Sequence, residues 1–258
     1  MFNIKNQGVT DMIDYKKGLV TDKKGGRGFN EGLRIYMLKV YHYMSLALLI
    51  TAISSFFALN FLPLIKLIYH INPAGRVYGV TGFGILIQIA PFIVALSFAF
   101  GLARMSVETA KILFWIYAVL IGMSLSSLGF LYTGQSLVLT FCICSSLFAS
   151  MCLYGYTTNR DLSSFGSFLV MGLIGLILAS LINIFIHGAA INFAISLVGV
   201  VVFMGLTAWN TQKLKEIYYY GGDESGQKIA IIGAFSLYLD FINLFLSLLN
   251  FFGEKKED

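Results

Sequence analysis

The chain has 258 residues, of which 57% are hydrophobic and only 12% charged, with a formal net charge of +5. Soluble domains carry roughly a quarter charged residues, so this balance excludes an ordinary water-soluble fold and names lipid as the solvent. The positive excess does not read as a nucleic-acid surface, because the basic residues are placed as membrane topology requires.

Residues 1–34 are polar and basic, with DKKGGRG at 22–28. They lack the apolar core of a cleavable signal and read as a flexible tail. Seven apolar runs of bilayer-crossing length follow: Val40–Leu59, Val80–Gly101, Ile112–Leu131, Ser136–Tyr154, Phe165–Ile184, Ala190–Trp209 and Ile229–Phe252. Continuous runs of this length are helices rather than barrel strands, because each must satisfy its own backbone in lipid. Residues 35–253 are therefore expected to form one all-α transmembrane domain, followed by a short charged tail at 254–258.

Only the first link is long. Pro63 and Asn72-Pro73-Ala74-Gly75 mark it as an external loop with turns. The other links are short, so consecutive helices should pack as antiparallel hairpins. Small residues at helix-packing spacing, Gly122 with Ser126 and Gly175 with Ala179, suggest close approaches. With the N-terminus inside, 14 of the 18 Lys and Arg lie on inside segments. That asymmetry orients the N-terminus to the cytoplasm, and an odd helix count puts the C-terminus outside.

Cys142, Cys144 and Cys152 share the fourth span without metal-pair spacing, and read as buried structural thiols. His42, His70 and His187 have no ligand partners at metal spacing. Glu108 suits a helix N-terminus, while Trp115 and Tyr218-Tyr219-Tyr220 fit an interfacial aromatic belt. No phosphate loop, nucleophile motif or nucleotide fingerprint is present, so no enzyme activity and no cofactor is expected.

The seventh span carries the sharpest pattern. Ser236, Asp240, Asn243, Ser247 and Asn250 are spaced four, three, four and three apart, which puts them on one stripe of a helix. Lipid cannot satisfy such a stripe, so it must face other helices or water. A hydrogen-bonded seam explains the amides and hydroxyls, but glue does not require a charge. A carboxylate at mid-membrane depth costs roughly 2.5–3.5 kcal/mol on insertion scales, and desolvation disfavours its ionised form. Asp240 is thus placed to act as a titratable switch, a cation ligand, or both.

The turn Gly221-Gly222-Asp223-Glu224-Ser225-Gly226 closes a hairpin of the last two helices. A pivot between Asp223 and Glu224 sets position 207 level with Asp240. Thr207 and Asn210 share a face, so Asn210 is expected to meet the acid. Thr207, Asn210 and Asn243 could add oxygens around a partly hydrated calcium ion at Asp240. Calcium prefers six to eight oxygen ligands, so such contact would be weak and transient, as conduction needs.

AFSLYLDFINLFLSLLNFFG at 234–253 resembles the C-terminal signature of the Bax inhibitor-1 family. Four further segments agree in order: Tyr36-Met37-Leu38-Lys39-Val40-Tyr41, Arg104-Met105-Ser106, Leu153-Tyr154-Gly155-Tyr156-Thr157-Thr158 and Trp209-Asn210-Thr211-Gln212. The resemblance covers about 34–253. It implies seven helices with the last one central, and a pH-sensitive calcium leak controlled by a hydrogen-bonded pair of aspartates. It also implies an arginine latch from the second helix, near which Arg104 lies. Asp240 matches the second aspartate, whereas Asn210 stands where the first is usual and Trp209 where tyrosine is common. Short loops suggest a bacterial inner membrane.

Two rival functions remain beside a leak. Intramembrane aspartyl proteolysis needs a second acid, but Asp223 belongs to the turn and Asn210 cannot serve. A non-conducting regulator of a membrane-bound protease or another membrane partner is the stronger rival, since relatives include such modulators. The basic tail, with Lys16-Lys17 and Lys23-Lys24, could touch a partner or anionic lipid.

Overall fold

A computed structural model describes residues 31–72, 77–101, 105–220 and 226–256. The chain divides into two units, Met1–Arg34 and Ile35–Asp258, and the packing relations below lie within the second. Arg104 and Asp223 fall outside the described residues, as does most of the expected basic tail. The first helix nevertheless starts at Glu31, inside the stretch expected to be tail.

The elements are α1 (Glu31–Asn60), α2 (Leu62–Ile68), β1 (Tyr69–Ile71), β2 (Val77–Val80), α3 (Gly82–Gly101) and α4 (Val107–Leu125). They continue with α5 (Leu128–Leu131), α6 (Gly134–Thr157), α7 (Ser163–Ile186), α8 (Ala189–Tyr220) and α9 (Gly226–Phe252). Among the described residues six helices are long and apolar enough to cross a membrane: α1, α4 continued through α5, α6, α7, α8 and α9. The protein is an all-α integral membrane protein. The second expected span appears as the shorter apolar helix α3, which carries Pro91 inside it. A membrane helix tolerates such a proline where neighbouring groups re-satisfy the freed carbonyl.

Local chemistry sets several helix ends. Ser106 caps α4 by accepting from the Thr109 amide at 3.1 Å, with Glu108 in the first turn. This matches the expected dipole role for that acid. Thr133 caps α6 through the Ser136 amide at 3.2 Å. His187 ends α7 in the left-handed region at φ 53°, and Asn183 Oδ1 accepts from the Gly188 amide at 3.0 Å. This is the tight turn expected there.

The long first link holds more order than a plain loop. α2 starts with a proline in its first turn, and β1 pairs antiparallel with β2, Tyr69 opposite Val80 and His70 opposite Gly79. The Tyr69 hydroxyl meets Ser126 Oγ at 2.9 Å, tying this cap to the end of α4. The three-residue and four-residue strands were too short to stand out from turn signals.

α9 packs against α8, α6 and α4. Its most apolar stretch is 61% buried, against 6% for α7 and no more than 33% for the rest. Tyr238, fully buried, anchors it: the hydroxyl meets Thr51 Oγ1 at 2.7 Å, and the ring abuts Phe114 and Tyr117. Phe98 of α3 stacks on Phe235 at 4.3 Å. Gly122 lets α4 approach α1, since a Cβ there would collide with Ser54 and the Thr51 backbone. Gly175, by contrast, faces open space, so the expected Gly175–Ala179 contact is not a close approach.

The C-terminal tail is not loose as far as Lys256. The Thr133 amide donates to the Glu254 carbonyl at 3.1 Å, and the Lys256 amide to the Leu131 carbonyl at 3.0 Å. Residues 254–256 therefore close over the α5–α6 turn.

Candidate functional site

The site grows from the α8–α9 hairpin. α8 continues past Trp209 to Tyr220, which carries Asn210 alongside the acid. Asn210 Nδ2 donates to Asp240 Oδ2 at 2.7 Å. Asp240 is 6% exposed, so this bond lies inside the protein, where an ionised carboxylate needs donors. The register agrees with the expected pivot: Leu214 of α8 lies against Gly233 of α9, a pair equidistant from the centre of the turn, and Asn210, one helical step from Thr207, reaches the acid. Further along, Gly199 of α8 lies against Ser247, so the polar stripe of α9 does face α8 at two separate depths.

The remaining expected site residues are placed differently. Thr207 is fully buried, but its Oγ1 donates to the Phe203 carbonyl at 2.8 Å, one turn back in its own helix. Asn243 Nδ2 donates to the Leu239 carbonyl at 2.8 Å, which leaves its side-chain oxygen available. Asn250 Oδ1 accepts from the Tyr132 hydroxyl at 3.0 Å and belongs to the C-terminal closure. Among the described residues no three His, Cys, Asp or Glu side chains come together. The residues around Asp240 therefore offer a calcium ion few charged oxygens.

Sequence reasoning missed the groups on the far side of the acid. Cys152 of α6 lies close enough to interact electrostatically with Asp240, and it neighbours Tyr41 of α1 and Thr211 of α8. Thr211 Oγ1 donates to the Thr207 carbonyl at 2.8 Å. Gly155 makes this cluster tight, because a Cβ there would run into the Ala208 carbonyl oxygen. Cys144 and Cys152 are buried as expected, whereas Cys142 is exposed on the outer face of α6, a correction explained by the 100° turn per residue.

The four residues Trp209 to Gln212 each take a separate partner. Trp209 packs on Gly166 at the start of α7 and receives the Lys213 ammonium 4.9 Å from its ring. Asn210 holds Asp240, Thr211 joins Tyr41 and Cys152, and Gln212 bonds the turn between α6 and α7 through both ends of its amide. In that turn Asp161 accepts from the Ser163 amide at 2.8 Å, and the Ser163 hydroxyl, followed by this amide, pulls the fully exposed carboxyl below its usual range.

Chemically, the amide–acid pair has two modes. An amide NH2 stabilises a carboxylate, and an amide carbonyl can accept from a protonated acid. Asn210 can serve either state by turning its amide, yet it never carries a proton of its own.

A bundle of apolar helices enclosing one hydrogen-bonded acid defines a polytopic membrane protein with an intramembrane ionisable site. Comparison with known proteins agrees. The family model described as inhibitor of apoptosis-promoting Bax1 matches residues 33–257. The protein RP147 of Rickettsia prowazekii is 54% identical over 247 residues, covering 95% of this chain and all of the relative. A protein of Caulobacter vibrioides is 40% identical, with 95% of this chain and all of that one covered. The inner membrane protein YbhL of Escherichia coli is 41% identical, covering 87% of this chain and 94% of YbhL. The chain belongs to the Bax inhibitor-1 family.

Proposed function

We propose that the chain is a slow cation leak for calcium, regulated by proton exchange at Asp240. It would cross a bacterial inner membrane seven times with the N-terminus in the cytoplasm and α9 at the centre. The inner membrane assignment follows YbhL, an inner membrane protein. The seven-crossing reading counts α3, whose 20 residues extend about 30 Å at 1.5 Å per residue, the thickness of a hydrocarbon core. The central reading leans on the burial of α9.

The observation that carries the function is the 2.7 Å bond from Asn210 to a carboxylate only 6% exposed. An acid retained at that depth, with a partner that tolerates both of its protonation states, suits a group that exchanges protons or meets ions. In this reading Asp240 makes a weak, transient contact with calcium, while Asn210, Asn243 and Thr207 contribute neutral oxygens. Arg104 serves as the latch. The titratable neighbours that face the acid are Cys152 of α6 and, behind it, Tyr41 of α1.

One observation favours a second reading. Asp240 is nearly sealed and hydrogen-bonded, which also suits a non-conducting regulator of a membrane-bound protease or other membrane partner. Calcium flux into proteoliposomes across pH separates the two, using the wild type, Asp240→Asn and Asn210→Asp. Flux that changes with pH in the wild type and loses that response in Asp240→Asn supports the leak. Absence of flux in every form leaves the regulator.

A further inference from the structure

The geometry points to Gln212 as a positioning residue: by holding the turn between α6 and α7, it fixes the rotation of α8 that presents Asn210 to Asp240. The inference deepens the site reading above and rests on it for its functional meaning, but the clamp itself is a matter of hydrogen bonds.

Asn210 and Gln212 are two residues apart on α8, about 200° around the helix axis. They therefore leave the helix on nearly opposite sides. Asn210 reaches α9. Gln212, 5% exposed, reaches the α6–α7 turn, where Oε1 accepts from the Leu162 amide at 2.8 Å and Nε2 donates to the Arg160 carbonyl at 2.7 Å. Both ends of one side-chain amide are thus spent on backbone groups two residues apart. Rotating α8 to withdraw Asn210 from the acid would pull Gln212 off both, stranding the buried Leu162 amide without its acceptor.

The turn that Gln212 holds is itself fixed. The Arg160 amide donates to Thr158 Oγ1 at 3.2 Å, and Asp161 Oδ1 accepts from the Ser163 amide at 2.8 Å. Lys215 Nζ, five residues beyond Asn210 on α8, caps the end of α6 by donating to the Tyr156 carbonyl at 3.0 Å. The close approach of Gly155 to the Ala208 carbonyl removes the slack that would let α8 slide along α6. Asn210 has no comparable support of its own; it is half-buried, and its bond to Asp240 depends on where α8 directs it. Cys152 neighbours the acid from α6, with Tyr41 of α1 beside Cys152, and neither carries an amide that could replace Asn210.

Two variants test the clamp. Gln212→Met keeps length and burial but removes both bonds. Gln212→Glu keeps an acceptor for the Leu162 amide and loses the donor to Arg160. The direct readout is the dipolar coupling between the 15N-labelled side-chain amide of Asn210 and the 13C-labelled carboxyl of Asp240 in bilayers, with Asn210→Ala identifying the signal. The coupling is expected in the wild type, reduced at least twofold in Gln212→Met and largely restored in Gln212→Glu. In the same vesicles, calcium flux against pH should move in Gln212→Met in the same sense as in Asn210→Ala.

Undiminished coupling in Gln212→Met, or none in the wild type, overturns the clamp whatever the flux does. If Gln212→Met does not fold, coupling in Gln212→Glu equal to that of Asn210→Ala also overturns it, while retained coupling supports it. Coupling that collapses in Gln212→Met while no form conducts keeps the clamp and removes the leak.

Discussion

Replacing Asn210 with aspartate is the most informative single perturbation, because it changes the chemistry of the pair while keeping its shape. In the wild type a neutral amide faces the carboxylate at 2.7 Å, so Asp240 gains or loses its proton against a partner of constant charge. Two carboxylates at that separation behave differently. With 2.7 Å between the heavy atoms and an effective dielectric of about 20, two like charges repel by about 6 kcal/mol. Relaxation and water entry would lower the figure, but not to the scale of thermal energy. Both acids cannot ionise cheaply, so the pair holds one shared proton through pH values at which either acid alone would have lost it. Asn210→Asp is therefore expected to shift the flux–pH curve in proteoliposomes or make it steeper, and to bind one additional proton per protein in a parallel titration. Asp240→Asn serves as the reference without the titrating group. Superimposable flux–pH curves for wild type and Asn210→Asp, at equal protein density, would refute the reasoning, because they would mean that the acid's protonation does not control passage.

Other expectations follow from packing and capping. Gly155→Val should destabilise the protein, since the added carbons meet the Ala208 carbonyl, at a cost of about 1–3 kcal/mol for overpacking. Gly175→Val, facing open space, should leave the melting temperature in detergent nearly unchanged; equal losses in the two variants would contradict the α6–α8 approach. Tyr132→Phe removes the hydroxyl that donates to Asn250 at 3.0 Å and should cost about 0.5–1.5 kcal/mol, together with faster hydrogen exchange in residues 254–256. Asp161 is held below its usual carboxylate range by the Ser163 bonds, so its stabilisation is present above the unfolded value and lost as pH falls through the folded one. The thermal deficit of Asp161→Ala should accordingly be visible at neutral pH and begin to fade only as pH falls below about 4, and a deficit that grows on acidification would reverse the sign. Cys142 should react first with an apolar maleimide in micelles, since Cys144 and Cys152 are buried; mass spectrometry of the labelled peptides reads the order.

Helix number and chemistry were legible where a signal lay along one segment. Apolar length alone reveals most of the crossing helices, and the spacing from Ser236 to Asn250 reveals which stripe of α9 seeks partners. The meeting of Asn210 with Asp240 was legible too, because a short polar turn between two long helices forces them to run antiparallel. Its register was legible as well: Leu214 meets Gly233 and Gly199 meets Ser247, as a pivot at the centre of the turn requires to within one residue. The small-residue rule separated nothing by itself: Gly122 sits under Ser54, whereas Gly175 faces open space, and the difference lies in the opposing helix rather than in the local spacing.

The partners of Tyr41, Cys152 and Gln212 were illegible for a deeper reason. None of these side chains is unusual in its own helix, and each becomes informative only when three other helices are brought against it. Trp209-Asn210-Thr211-Gln212 turns through most of one helical revolution, so its four side chains must leave in four directions. The structure gives those directions to α7, α9, the α1–α6 cluster and the α6–α7 turn. A stretch of helix tied on all sides cannot yield at one bond without straining the others. Any movement that opens a path beside Asp240 is therefore more cheaply borne by helices outside this knot, and α3, with Pro91 inside it and a stacked aromatic contact to α9 through neither Asn210 nor Gln212, is the element least constrained by these bonds.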